Sequence, residues 1–365
     1  HRKVQSFILP MVDITSKNKN IIETFYPEGN FVSYLTKFNI GDNFHINTPS
    51  PKVSLFQFQN ALVEASSSSI VYQNKVLVTR SNNERISGGF IKFHNRKDAK
   101  IYIDESENIE SGFSLAGNGS WNWFHFLIEI LPKLLFIDKK YTDTILVNEF
   151  VLTKPTMKEI LFLLNKEGYK IRYLKQGVVY KVNNLFYLND FNHVHYNRFD
   201  DLLPSDGTYF NSNILKKYSD LLLTNFNFSS LTSTPTHIYL YRKNTHRIAQ
   251  NQDEVLEYLK PFGFVPVCME ELSIAEQIKC FKEAKFIIGI TGAAWSNLLF
   301  CRNSPKAIYF LPDNVKGFST FSNLAKIFNV DLYGQVYQCS EFHYSNNFTI
   351  DMNHFHLLFT SIHEK

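Results

Sequence analysis

The stretch 237–300 constrains this chain most, because apolar strand runs alternate there with amphipathic helices and end in a small-residue turn. The pattern predicts a strand over 237–241, a helix over about 253–260, a strand over 264–268, a capped helix over 273–285 and a strand over 286–290. Gly289, Ile290, Thr291, Gly292, Ala293 and Ala294 then lead into a further helix. Such alternation marks a parallel α/β sheet, in which ligands bind where strand ends meet helix starts. A Gly/Ala turn at that place lets an anion approach backbone N–H groups. Arg242 and Arg247, on a neighbouring strand-end loop, would complete a diphosphate clamp. Spacing alone leaves a plainer alternative open, a tight turn packing a core helix with both arginines on a wet surface.

The 365 residues suit two domains, each able to bury a core. Apolar residues make up 44% and charged residues 20%, a globular rather than a disordered balance. The 34 Phe and 19 Tyr belong mostly in cores, although carbohydrate sites also use aromatic platforms. A formal charge of +4, dispersed along the chain, excludes a nucleic-acid footprint. Cys268, Cys280, Cys301 and Cys339 form no Cys-x-x-Cys pair, which argues against zinc ribbons and thioredoxin chemistry. They read as free thiols in a reducing compartment. No apolar run approaches the ~20 residues that span a bilayer, and no leader is recognised. Asn118, Asn227 and Asn347 open glycosylation sequons of the kind an Asn-rich chain produces by chance.

Residues 1–50 read as an irregular lead-in with a few short strands. From 53 to 103 short apolar runs suggest a β-rich entry, with turns at Asn82-Asn83 and Gly88-Gly89. A helix is expected over 121–138, kinked at Pro132, followed by strands over 144–147, 171–174 and 184–187 and a helix over 154–166. After a helix over about 211–226, the Ser/Thr/Pro stretch 229–236 is the best linker. It places one α/β domain at 1–230 and a second, Rossmann-like domain at 231–345. Met352, Phe355, His356, Phe359 and Ile362 recur at helical spacing, so 346–365 is expected to be a helix that packs back on the first domain.

Two blocks carry a family resemblance. One runs from Tyr239-Leu-Tyr-Arg242 through Arg247, Asn251, Gly263-Phe264 and Glu270 to Gln277, then from Gly289 to Asn297. The other is Asn122-Trp-Phe-His125, continuing to Glu129-Ile-Leu-Pro132-Lys-Leu. Together they resemble glycosyltransferase family 61 over about residues 55–335. The resemblance implies a GT-B-like α/β fold, two Rossmann-like domains facing a cleft with short β strands at the N-terminal side. It also implies inverting sugar transfer from a nucleotide-diphosphate donor, a UDP-sugar by family habit, to the hydroxyl of a glycan or lipid-linked glycan.

On this reading Arg242 and Arg247 hold the diphosphate, helped by the backbone of Gly292 and Ala293. Glu270, just past a strand end, would accept ribose hydroxyls, Gln277 would orient a loop or touch the nucleotide, and Asn297 would secure the helix-start backbone or contact the donor. Ser273 and Glu276 form a capping box. Thr291 stands where many members carry His, and the bulky Trp295 would narrow or stack the sugar pocket. On the acceptor side Asn122 and Trp123 flank His125, the candidate base. Glu129, four residues on, shares its helical face and would orient it or act as the base itself. His193 and His195 show no third ligand nearby, and there is no Asp-x-Asp, since Asp200-Asp201 are adjacent and Asp190-Phe-Asn matches poorly. A metal-independent enzyme without a cofactor is therefore expected. The unpaired cysteines, the lack of a recognised leader and the Asn/Lys/Phe-rich composition set the expectation of a bacterial cytoplasmic enzyme making capsule or lipopolysaccharide, with peripheral contact at the inner membrane face left open. The rival readings are a CMP-sugar-dependent transferase and a non-catalytic nucleotide- or sugar-binding module.

Overall fold

The structure is a computed structural model that describes residues 4–81, 84, 89–195, 207–243, 247–315, 317–338 and 348–365. Asn82, Asn83, Gly88, Asp200, Asp201, Cys339 and Asn347 lie outside the described residues. The chain divides into two compact units. One holds most of the first 211 residues, and the other holds 212–365 together with 32–47.

An eleven-stranded mixed sheet builds the first unit. Lys170–Leu174, Thr144–Asn148, Glu105–Leu115 and Val178–Leu188 run parallel. Val53–Glu64 joins antiparallel to the last of these and opens a meander with Ser67–Tyr72 and Lys75–Val78. Gln73 and Asn74, with φ of 49° and 58°, close the last hairpin in two residues. Such a turn needs positive φ twice, and it forces antiparallel neighbours. The expected Rossmann-like first domain is thus corrected to a mixed sheet, in which four neighbouring strands run parallel, Gln5–Asp13 pairs parallel with Lys75–Val78, and the other pairings are antiparallel. The lead-in is more ordered than expected, since Gln5–Asp13 pairs with both Lys75–Val78 and Asp98–Ile103.

The second unit carries five parallel strands: β1 (His237–Leu240), β2 (Val265–Val267), β3 (Phe286–Ile290), β4 (Lys306–Pro312) and β5 (Asp331–Tyr337). All five residues of β3 are buried, as expected of a strand covered on both faces. Their order is β2-β1-β3-β4-β5. The chain therefore reverses direction across the sheet between β1 and β3, the topological switch point where doubly wound sheets bind ligands. The helix Ile274–Glu283 before β3 begins with the expected capping box.

The boundaries differ from those expected at 230 and 345. Helix Ser212–Asn225 belongs to the second unit, where Ser219 Oγ donates to the carbonyl of Leu299. The supposed linker is strapped to a helix, because Lys279 Nζ donates to the carbonyls of Leu231 and Thr232. Helix Met352–His363 buries Phe355 and Phe359 against Phe264, Phe286 and Phe310 in the core of the second unit, in place of the expected return to the first domain. No helix among the described residues is long and apolar enough to cross a membrane.

Candidate functional site

The switch point brings two loops together. Leu240 at the end of β1 pairs with Gly289 of β3, so Arg242 and the Thr291-Gly292 turn leave the sheet side by side. Arg242 Nη1 donates to the Thr291 carbonyl at 3.4 Å. A Cβ on Gly292 would lie 3.3 Å from Nη1, so glycine lets the guanidinium rest against bare backbone. Gln252 fixes the Arg242 peptide from both sides, accepting from its N–H at 3.1 Å and donating to its carbonyl at 3.2 Å. Burial and then the nearby Arg247 push the Arg242 pKa down, with Glu270 partly opposing them. A guanidinium stays charged all the same. The Thr291 carbonyl and the Gly292 backbone thus hold a charged guanidinium at the switch point.

The other donor-side candidates divide. Arg247 and Glu270 lie within electrostatic reach of Arg242, and Glu270 is exposed and accepts from Cys268 Sγ at 2.9 Å. Gly292 and Ala293 form the start of the 3₁₀ helix Ala293–Phe300, whose first N–H groups have no intrahelical acceptor. Gln277 and Asn297 both make internal ties. Gln277 Nε2 donates to the carbonyls of Met269 and Leu272, and its Oε1 accepts from Asn297 Nδ2 at 3.2 Å. These two buried amides tie the segment after β2 to the turn's helix. Trp295 is wholly buried, donates from Nε1 to the Ile290 carbonyl and packs on Tyr309, so it belongs to the core rather than to a sugar pocket.

In the first unit, the block around His125 folds into an unusual helix. Asn122 Oδ1 accepts from the N–H of Phe124 at 2.9 Å and of His125 at 3.4 Å, so Asn122 caps the helix start. His125–Ile130 then winds as a π-helix, which tightens to 3₁₀ over Leu131–Phe136 with Pro132 in its first turn. Single π turns occur frequently at functional sites. Gly119, at φ +80°, passes so close that a Cβ would sit 2.5 Å from Cβ and Cγ of His125. Trp123 is half-buried beside this turn.

His125 Nδ1 lies 2.6 Å from Glu129 Oε2, which also accepts from Arg80 Nη1 at 3.0 Å. Glu129 Oε1 accepts from the Val194 N–H at 2.8 Å. Burial alone would raise the Glu129 pKa, but Arg80 and then His125 outweigh it and hold it at about 2. An ionised carboxylate only accepts hydrogen bonds, so the proton sits on His125 Nδ1 and Nε2 becomes the basic nitrogen. Arg80 spreads further, donating from Nε to Glu84 Oε2 at 2.9 Å and from Nη2 to the Val194 carbonyl at 2.6 Å. Asp190 lies 3.6 Å from Arg80 and accepts from Lys133 Nζ at 2.7 Å. Sequence reasoning missed Arg80, Glu84 and Lys133 as site residues. Arg80 follows a strand into a polar stretch that reads as surface, and only Lys133 lay inside a motif already singled out.

A family model described as Glycosyltransferase 61 matches residues 123–308, just over half of the chain. The match runs from the π-helix turn through the Arg242 loop, the Gly292 turn and the start of β4. No curated protein matches the chain.

Proposed function

This chain belongs to glycosyltransferase family 61, and from that premise we propose that it moves a sugar from a nucleoside-diphosphate donor to a glycan hydroxyl with inversion. Arg242 and Arg247 take the diphosphate, Glu270 the ribose hydroxyls, and the Thr291–Ala293 backbone closes the anion site. No divalent ion is needed on the diphosphate, since two guanidiniums and a helix start replace it. His125 is the base and Glu129 its orienting partner. The acceptor oxygen attacks the anomeric carbon while the bond from that carbon to the diphosphate breaks. The hydroxyl proton passes to His125 Nε2, and the departing charge is met by the arginines. A single displacement inverts the centre. UDP as carrier, and a place in bacterial capsule or lipopolysaccharide synthesis in the cytoplasm, extend the proposal by family resemblance. The free thiols Cys268, Cys280 and Cys301 support the compartment.

The observation that carries this reading is the Arg242 guanidinium held against the Thr291 carbonyl and the bare backbone of Gly292 at the switch point. Calorimetry with UDP, GDP and CMP tests it in the presence of EDTA. A diphosphate should bind with EDTA present, and Arg242→Ala should weaken it by at least about tenfold without lowering the melting temperature. Equal affinity in the variant would remove Arg242 from the clamp. Preference for CMP would move the donor to a CMP-linked sugar.

A further inference from the structure

Glu84, His193 and His195 converge in the first unit, and the proposed reaction uses none of them. Glu84 Oε1 lies 2.9 Å from His193 Nε2 and 3.5 Å from His195 Nδ1, and the three nearest ligand atoms fall within 4.8 Å of one another. Their side chains are only 3%, 5% and 9% exposed. The expectation that the two histidines lack a third ligand is corrected here, because Glu84 stands 109 positions before His193.

We propose that Glu84, His193 and His195 bind one zinc ion. Two imidazoles and a carboxylate are a donor set that suits zinc, leaving a fourth position for water. Zinc bonds of about 2.0–2.2 Å at tetrahedral angles separate ligand atoms by about 3.3–3.5 Å, so the observed spacings need only small side-chain rotations. Residues two apart on extended backbone share a face, and this backbone is fixed in its middle. The Val194 N–H donates to Glu129, and its carbonyl accepts from Arg80. His193 exchanges both backbone hydrogen bonds with Tyr209.

The surroundings supply what a metal site needs beyond its ligands. Arg80 Nε on Glu84 Oε2 orients the carboxylate, and His94 Nε2 lies 2.7 Å from the Glu84 carbonyl. Among the described residues, two buried cations (Arg80, Lys133) face three buried carboxylates (Glu84, Glu129, Asp190). The ion pins the Glu84 segment to 193–195. Through Arg80 it steadies the carboxylate that holds His125. Its ligands belong to the first unit, and those proposed for the diphosphate to the second.

Elemental analysis of the whole chain, purified without immobilised metal, tests the site. About one zinc per chain is expected, with His195→Ala losing at least about nine-tenths of it. Chelation should lower the melting temperature and zinc should restore it, while UDP affinity stays unchanged. Should His195→Ala not fold, cobalt added to the chelated wild type gives an independent reading, a visible d–d band that zinc displaces. Less than about 0.1 zinc per chain with no thermal response to added zinc would overturn the site. Iron or manganese at full occupancy would overturn the choice of ion. Loss of UDP binding on chelation would overturn its separation from the clamp. Failure of UDP binding with zinc present would count against the donor proposal alone.

Discussion

At the scale of single residues, the charge on Glu129 governs the acceptor side. Glu129→Gln keeps the shape but no longer fixes the proton on His125 Nδ1, and it leaves Arg80 with one fewer counter-charge. Turnover should fall roughly 10²–10⁴-fold with little change in donor affinity, as steady-state kinetics and calorimetry would show. Unchanged turnover would remove the pair from the chemistry. The same carboxylate sets an acid limit. Its folded pKa, about 2, lies below the ordinary 4.5, so its contribution is complete above 4.5 and is lost as the pH falls towards 2. Urea midpoints should drop across that window, and Glu129→Gln should flatten the slope. The His125–Glu129 pair was legible because helical spacing is local. Arg80 was not, since its partners Glu129 and Val194 stand 49 and 114 positions away. Gln277 and Asn297 were legible as polar residues in a motif, but their use as internal ties depends on which carbonyls the fold brings to them.

Among the elements, the capping box of helix Ile274–Glu283 was readable from Ser273 and Glu276 alone, because it is satisfied within four residues. Ser273→Ala should cost about 1 kcal/mol in denaturant unfolding and leave nucleotide affinity intact. Weaker affinity would mean that this helix start touches the donor. The strands β1 and β3 were equally plain, since strands buried on both faces are unbroken apolar runs. Glu105–Leu115 escaped notice because its first half alternates charged and polar residues along a strand only partly covered. The π-helix turn was invisible for a different reason. Its spacing of apolar residues fits an ordinary helix, so the sequence carries no sign of the wider turn.

For the molecule as a whole, composition misplaced the division of the chain. The stretch 229–236 looks like a linker but lies along a helix, whereas 32–47, with nothing to mark them, belong to the second unit. There the Tyr34 N–H donates to Asn323 Oδ1, the Tyr34 carbonyl accepts from Ser322 Oγ, and Thr36 pairs with the Tyr309 hydroxyl. A fragment of 212–365 made alone should therefore melt at lower temperature and bind UDP more weakly than the whole chain. Equal behaviour would show that 32–47 are dispensable. This arrangement also imposes an order on biosynthesis. Tyr34 leaves the ribosome 289 residues before its partner Asn323, a wait of about 15–60 s at ordinary elongation rates of about 5–20 residues per second. The strands of the first unit are complete by Leu188, so that unit can fold while 32–47 are still waiting. The nascent chain must hold an early segment in reserve for a late sheet, and a chaperone that shields 32–47 would serve the second unit before most of it exists.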